Sequence, residues 1–191
     1  MHMQSREDIL LAIEEDEWMM SILRTVRTID LPDWWICAGF VRSKIWDVLH
    51  GFEKRTPLAD IDVIYFDSPN VDESFEKEWE HKLRLDHPNE PWSVKNQARM
   101  HLRNQLPPYR CAADAISKFP ETATALGVKL DDAGSLELCM PHGLKDVLNC
   151  RVAATPFFSR SKERMRVFDT RMNEKNWPAV WSNVQIDHYH I

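Results

Sequence analysis

Cys37-Ala38-Gly39-Phe40-Val41-Arg42-Ser43, followed after a short amphipathic segment by Asp60-Ile61-Asp62, is the stretch that decides how this chain is read. It spells a strand, a tight turn, a helix and a second strand. Side chains alternate along a strand, so Asp60 and Asp62 share one face while Ile61 and Val63 take the other. Neighbouring carboxylates repel unless a cation lies between them. A hard divalent ion such as Mg²⁺ takes oxygen ligands, commonly one or two carboxylates plus substrate phosphates. The pair therefore points to metal-dependent phosphate chemistry.

The flanking residues support that reading. Trp34 to Gly39 is apolar on both faces, as a buried central strand requires. Gly39 permits the turn, Ser43 is placed to cap a helix over Lys44 to His50, and Gly51 ends that helix. The loop Phe52 to Ala59 then leads to a strand over Asp60 to Phe66, closed by the turn residues Asp67-Ser68-Pro69-Asn70. Upstream, one helix is expected over residues 5 to 28. Ser5 and Asp8 form its capping box, and Ile9, Leu10, Ile13, Ile22, Leu23 and Val26 form its apolar side. Leu31-Pro32-Asp33 stops it.

Downstream, the periodicity predicts a helix over Glu73 to Leu85 and a half-buried strand over Trp92 to His101, in which Trp92, Val94, Asn96, Ala98 and Met100 alternate with polar residues. Helical turns follow near Asp114 to Phe119 and Glu121 to Leu126. A strand over Leu136 to Met140, a helix over Gly143 to Asn149 and a last long helix over Ser159 to Asn176 complete the chain. Met165, Phe168 and Met172 form the apolar side of that last helix.

At 191 residues, 43% of them hydrophobic and including eight Trp and eight Phe, the chain is sized for one compact domain. Residues 1–33 are expected to pack as a helical element on a core of residues 34–157, with residues 158–191 forming a C-terminal helix and tail. A net charge of -6 argues against a globally basic nucleic-acid binder but leaves room for a local basic patch. The longest apolar run, Trp34 to Val41, is far short of a membrane span, and the start carries no secretory pattern, so a cytoplasmic location is expected. Cys37, Cys111, Cys139 and Cys150 lack the close spacing of a zinc or redox motif, and Cys37 and Cys139 read as buried free thiols.

Three segments together, Ala38-Gly39-Phe40-Val41-Arg42-Ser43, Trp46-Asp47-Val48-Leu49-His50-Gly51 and Asp60-Ile61-Asp62, resemble the catalytic signature of the polymerase β-like nucleotidyltransferases. The nearest well-known version is that of the CCA-adding tRNA nucleotidyltransferases, whose Gly-Gly-x-Val-Arg-Asp turn precedes a short helix and an Asp-x-Asp strand. Trp92 to His101, Glu121-Thr122-Ala123-Thr124 and Pro141-His142-Gly143-Leu144-Lys145-Asp146 are similar to a family of small bacterial nucleotidyltransferase-like proteins. The resemblance spans about residues 34 to 157.

It implies an α/β (α+β) nucleotidyltransferase fold: a short mixed sheet flanked by helices, with a helical C-terminal portion. It also implies transfer of a nucleoside monophosphate from an NTP to a hydroxyl, on a small molecule, a protein or an RNA end. Asp60 and Asp62 would hold Mg²⁺ or Mn²⁺, while Gly39, Arg42 and Ser43 would hold the triphosphate. Backbone N–H groups at a helix start, and the planar fork of an arginine, suit phosphate on chemical grounds alone.

The chain departs from the pattern at three places. Ala38 stands where the CCA-type turn has a second glycine, and Ser43 replaces an aspartate. The third carboxylate of the superfamily is expected on the next strand, where Asn96 stands instead; its carbonyl can coordinate a metal but it carries no charge and cannot act as a base, and Glu137 is the alternative. A chain lacking that acid would be a catalytically inactive nucleotide-binding or regulatory protein.

Other polar sets have both a functional and a plain reading. Lys95, Arg99 and His101 form either an acceptor surface or a solvated face. Arg160, Lys162, Arg164, Arg166, Arg171 and Lys175 form either a nucleic-acid contact or an ordinary charged helix face. His188-Tyr189-His190 invites a metal reading at the end of the chain.

Overall fold

The structure, a computed structural model, describes residues 3–188. The chain opens with α1 (Arg6–Glu14) and α2 (Glu17–Thr28), which replace the single helix expected over residues 5 to 28. The Ser5–Asp8 capping box is present at the start of α1. The break arises because the Asp16 carboxylate accepts from the Met19 N–H at 3.1 Å and starts a new helix.

Next come β1 (Trp35–Cys37), α3 (Gly39–Leu49), β2 (Ile61–Tyr65), α4 (Glu73–Asp86), β3 (Trp92–Asn96) and α5 (Gln97–Arg103). After α6 (Ala112–Ile116), the hairpin β4 (Gly127–Leu130) and β5 (Leu136–Cys139) follows. The chain then runs through α7 (Lys145–Leu148), β6 (Arg151–Val152), α8 (Pro156–Ser159), α9 (Lys162–Lys175), a 3-10 turn at Trp177–Ala179 and β7 (Gln185–Ile186).

Among the described residues, β1 to β5 form one mixed sheet in the order β3-β2-β1-β4-β5. β1 is central and antiparallel to β2 and β4, and β2 and β3 run parallel across the α4 connection. β1 is apolar because it is buried on both sides; Ile36 and Cys37 have no exposure. Gly127 begins β4 in a space where a Cβ would stand 3.2 Å from the Cys37 Sγ and 3.1 Å from Ile116, so a larger residue there would force the two strands apart.

The edge strand β3 is covered by α4. The buried carboxylates of Glu76 and Glu80 accept from the backbone N–H groups of Asn96 and Val94, satisfying donors that would otherwise be exposed at the edge. Side chains of α1, α2, α3, α4 and α9 share one apolar cluster with the sheet, from Ile9 through Trp46 to Phe168. No described helix is long and apolar enough to cross a membrane.

β3 ends at Asn96 and not at His101. The Asn96 side chain accepts from the Ala98 N–H at 3.0 Å, and Gln97 onward turns into α5. Lys95 and Arg99 therefore do not share a strand face: both bind Glu76, at 3.3 and 2.9 Å.

Candidate active site

The turn from β1 into α3 is tighter than its sequence suggests. Ala38 takes φ 54°, ψ −115°, a conformation that strongly favours glycine, while Gly39 is already the first residue of α3. The positive φ thus falls on Ala38, and Ser43 lies inside the helix and does not cap it. The early start puts Gly39, the first residue of α3, in the wall of a cleft of roughly 430 Å³, at the end of the helix where backbone N–H groups lack intrahelical partners. The register places Asp62 opposite Cys37 on β1 and Ser93 on β3, and Asp60 stands exposed just before β2.

The cleft gathers Gly39, Arg42, Ser43, Asp60 and Asp62. Its remaining walls come from the loop before β2, including Thr56 and Leu58, and from Arg171, Lys175, Trp177 and Trp181 near the C-terminal end. Burial, with the Asp60 charge adding to it, pushes the Asp62 carboxyl up to about 6, although Ser93, Arg171 and Lys175 oppose that shift. Burial likewise lowers Arg42 to about 10, opposed chiefly by Glu121, so the guanidinium is still charged at neutral pH.

Arg42 is only 8% exposed and sits among three indoles, 5.1 Å from the Trp46 ring, 4.3 Å from Trp177 and 5.6 Å from Trp181. Its Nη2 donates to the Ser43 hydroxyl at 3.2 Å, and its Nε is buried without a hydrogen-bond partner among the described residues. This cage is latched from below. The buried Asp47 carboxylate accepts from the Trp181 indole at 2.8 Å, from the Thr56 N–H at 2.8 Å and from the Thr56 hydroxyl at 2.7 Å. On the other wall, Arg171 pairs with Glu121, which is fully buried and also accepts from Thr124.

Two residues considered for the third ligand lie away from this cleft. Asn96 is 1% exposed, and its carboxamide is spent on backbone groups of Asp67, Asn70 and Ala98. Glu137 is on β5, separated from β2 by β1 and β4, and pairs with Lys129 at 3.1 Å. The cleft's carboxylates among the described residues are Asp60 and Asp62, and the residue facing Asp62 from β3 is Ser93.

The sequence does not single out Trp177 and Trp181; it shows Asp47 only as part of the helix after the turn, and Arg171 and Lys175 as a nucleic-acid contact or a charged helix face and not as walls of this cleft. The spacing of Arg171 and Lys175 by one helical turn was a readable signal; the latch to Asp47 was not, because it joins residues 134 positions apart. All four cysteines are free, with Cys37 and Cys150 buried and Cys139 partly so. No group of three metal-ligating side chains occurs among the described residues. His188 approaches Asp169 at 3.6 Å, and Tyr189 and His190 lie outside the described residues.

A sequence model of a family described as nucleotidyltransferase matches residues 24–186. An NMR structure described as revealing a CCA-adding enzyme head domain is 38% identical, covers 97% of each chain and superposes with a TM-score of 0.87. A CCA-adding enzyme in complex with CTP is 11% identical, with a TM-score of 0.54 over 96% of this chain and 43% of that one. The Thermotoga maritima CCA-adding enzyme complexed with tRNA is 13% identical, with a TM-score of 0.52 over 96% and 42%. The chain spans less than half the length of these two enzymes, and its likeness to them is one of fold. A comparison with curated proteins finds no match.

Proposed function

The chain belongs to the nucleotidyltransferase family, and from that premise we propose a metal-dependent transfer of a nucleoside monophosphate from an NTP to a hydroxyl acceptor, centred on Asp60 and Asp62. The observation that supports this most is the cleft itself. Two carboxylates at the start of β2 face Arg42, Arg171, Lys175 and the start of α3 across one small volume.

The donor set fits a hard divalent ion. The two side chains offer oxygen ligands, and the burial and the Asp60 charge that together raise Asp62 are what a cation between them would offset. Mg²⁺ or Mn²⁺ held there supplies charge neutralisation and polarisation at the phosphate. The remaining work falls to the chain's own groups. N–H groups at the start of α3, beside Gly39, hydrogen-bond phosphate oxygens. Arg42, kept charged and fixed in orientation by its indole cage, grips the triphosphate with Ser43 beside it. Arg171 and Lys175 stabilise the charge that builds on the leaving pyrophosphate. As the acceptor hydroxyl oxygen bonds to the α-phosphorus and gives up its proton to water, the bond from that phosphorus to the bridging oxygen breaks, and pyrophosphate departs with its electron pair. Four free cysteines suit a reducing compartment such as the cytoplasm.

Ser93 opposite Asp62 favours a second reading, a nucleotide-binding protein that performs no transfer. Incubation with α-labelled NTPs, Mg²⁺ or Mn²⁺ and cell extract separates the two. Label on an acceptor that disappears in Asp62→Ala supports transfer. Nucleotide binding with no labelled product supports the second reading, and absence of binding refutes both.

A further inference from the structure

We propose that the groove between α5, the segments flanking α6, α8 and α9 is a second ligand site, distinct from the metal cleft, that takes a nucleoside monophosphate unit. Its volume is about 380 Å³, within the range of small-ligand pockets. Aromatic rings enter it from three separate segments: Tyr109, Phe119, and the pair Phe157 and Phe158. Phe119, Phe157 and Phe158 are only half-buried, and Val167 beside them is 56% exposed, so the structure leaves an apolar surface open there.

The groove also carries polar groups of the kind that orient a base and a phosphate. Gln97 is 6% exposed; its Nε2 donates to the Lys95 carbonyl at 3.3 Å, while its Oε1 accepts no hydrogen bond among the described residues. Such an oxygen can accept from the exocyclic amino group of a base. At the rim the Arg164 guanidinium lies 3.8 Å from the Phe157 ring centroid and donates to the Phe157 carbonyl at 3.0 Å. It has no carboxylate partner among the described residues, whereas Lys118 across the groove is neutralised by Asp114 at 2.9 Å. A flat cation stacked on a ring, with N–H groups left over, suits a phosphate attached to a stacked base.

The groove is connected to the metal cleft without being part of it. α9 carries Arg164 in the groove and Arg171 in the cleft, two helical turns or about 10 Å apart. A shallow depression between them shares Val167 with one and Arg171 with the other. The unit bound can therefore be a free nucleotide or the end of an oligonucleotide laid along α9. The proposal does not depend on the transfer reaction.

The probe is 2-aminopurine riboside 5′-monophosphate, whose fluorescence is quenched by stacking, added to the full chain with Mg²⁺ and a saturating non-transferable NTP analogue. Expected are quenching that the analogue does not displace and binding at least about tenfold weaker in Phe157→Ala and in Arg164→Gln. The riboside lacking phosphate should also bind about tenfold more weakly. Arg164→Gln alters a half-exposed side chain and keeps the test valid should Phe157→Ala misfold. No quenching, displacement by the analogue, or equal binding of the riboside would overturn the proposal. A single-stranded trinucleotide ending in 2-aminopurine identifies the source. Tighter binding that weakens in Arg166→Gln supports a nucleotide site used by a strand; binding no tighter than the monomer supports a nucleotide site used by a free nucleotide.

Discussion

The Asp62 carboxyl, raised to about 6 by burial and by Asp60, links the chemistry of the cleft to the stability of the fold. Its pKa is higher folded than unfolded, so its contribution to stability is fully present below about pH 4 and is lost as pH rises through about 6. Metal-free Asp62→Asn should therefore be more stable than the wild type at pH 7 by about 1–2 kcal/mol, and no more stable at pH 4. Thermal melts at the two pH values in chelator check both halves. Ala38 is a second strained residue, at φ 54° and ψ −115°. Ala38→Gly relieves that backbone at some entropic cost in the unfolded chain, for a net gain of about 1 kcal/mol readable as a higher Tm. Were Ala38→Gly to melt lower, the strain would not be real.

At the scale of elements, Asn96 shows how a residue read as a metal ligand turns out to be built into the backbone. It closes β3, caps α5 and ties down the turn after β2. Asn96→Ala should cost about 2 kcal/mol in urea unfolding while leaving nucleotide affinity unchanged. A loss of affinity with stability intact would restore it to the site.

The misreading has a physical source. Ala98, Met100 and Leu102 continue the spacing by two of β3, so the alternation runs on through a helix, and only the cap marks the boundary. Asp16 is the same case inside an acidic run, which hid the start of α2. β4 is four residues long and begins with glycine, too short to register a period. The turn after β1 and the carboxylates at and just before the start of β2 were legible because tight backbone geometry and the period-two spacing of an extended chain leave direct marks in sequence. The strained φ was expected at Gly39 and falls on Ala38, since the helix begins one residue after it.

For the whole molecule, the cleft is completed by residues far apart in the chain. The signature lies between Ala38 and Asp62, yet Arg171, Lys175, Trp177 and Trp181 close the cleft over it. Sequence patterns report neighbours, so the halves could be found separately but not joined. Trp181→Phe keeps a ring near Arg42 and removes the hydrogen bond to Asp47. It should weaken NTP binding about threefold to tenfold with the fold retained, the equivalent of about 1 kcal/mol. Circular dichroism together with a binding titration checks this, and unchanged affinity would show that the latch has no part in the site.

The central claim, that one cleft joins a metal-holding carboxylate pair to a cationic triphosphate grip, is tested most directly by calorimetry of NTP binding with and without Mn²⁺. Binding should require the metal in the wild type and fall at least about tenfold in Asp62→Ala and in Arg171→Gln, while Glu137→Gln binds as the wild type does. Metal-independent binding, or full affinity in Asp62→Ala, would contradict it.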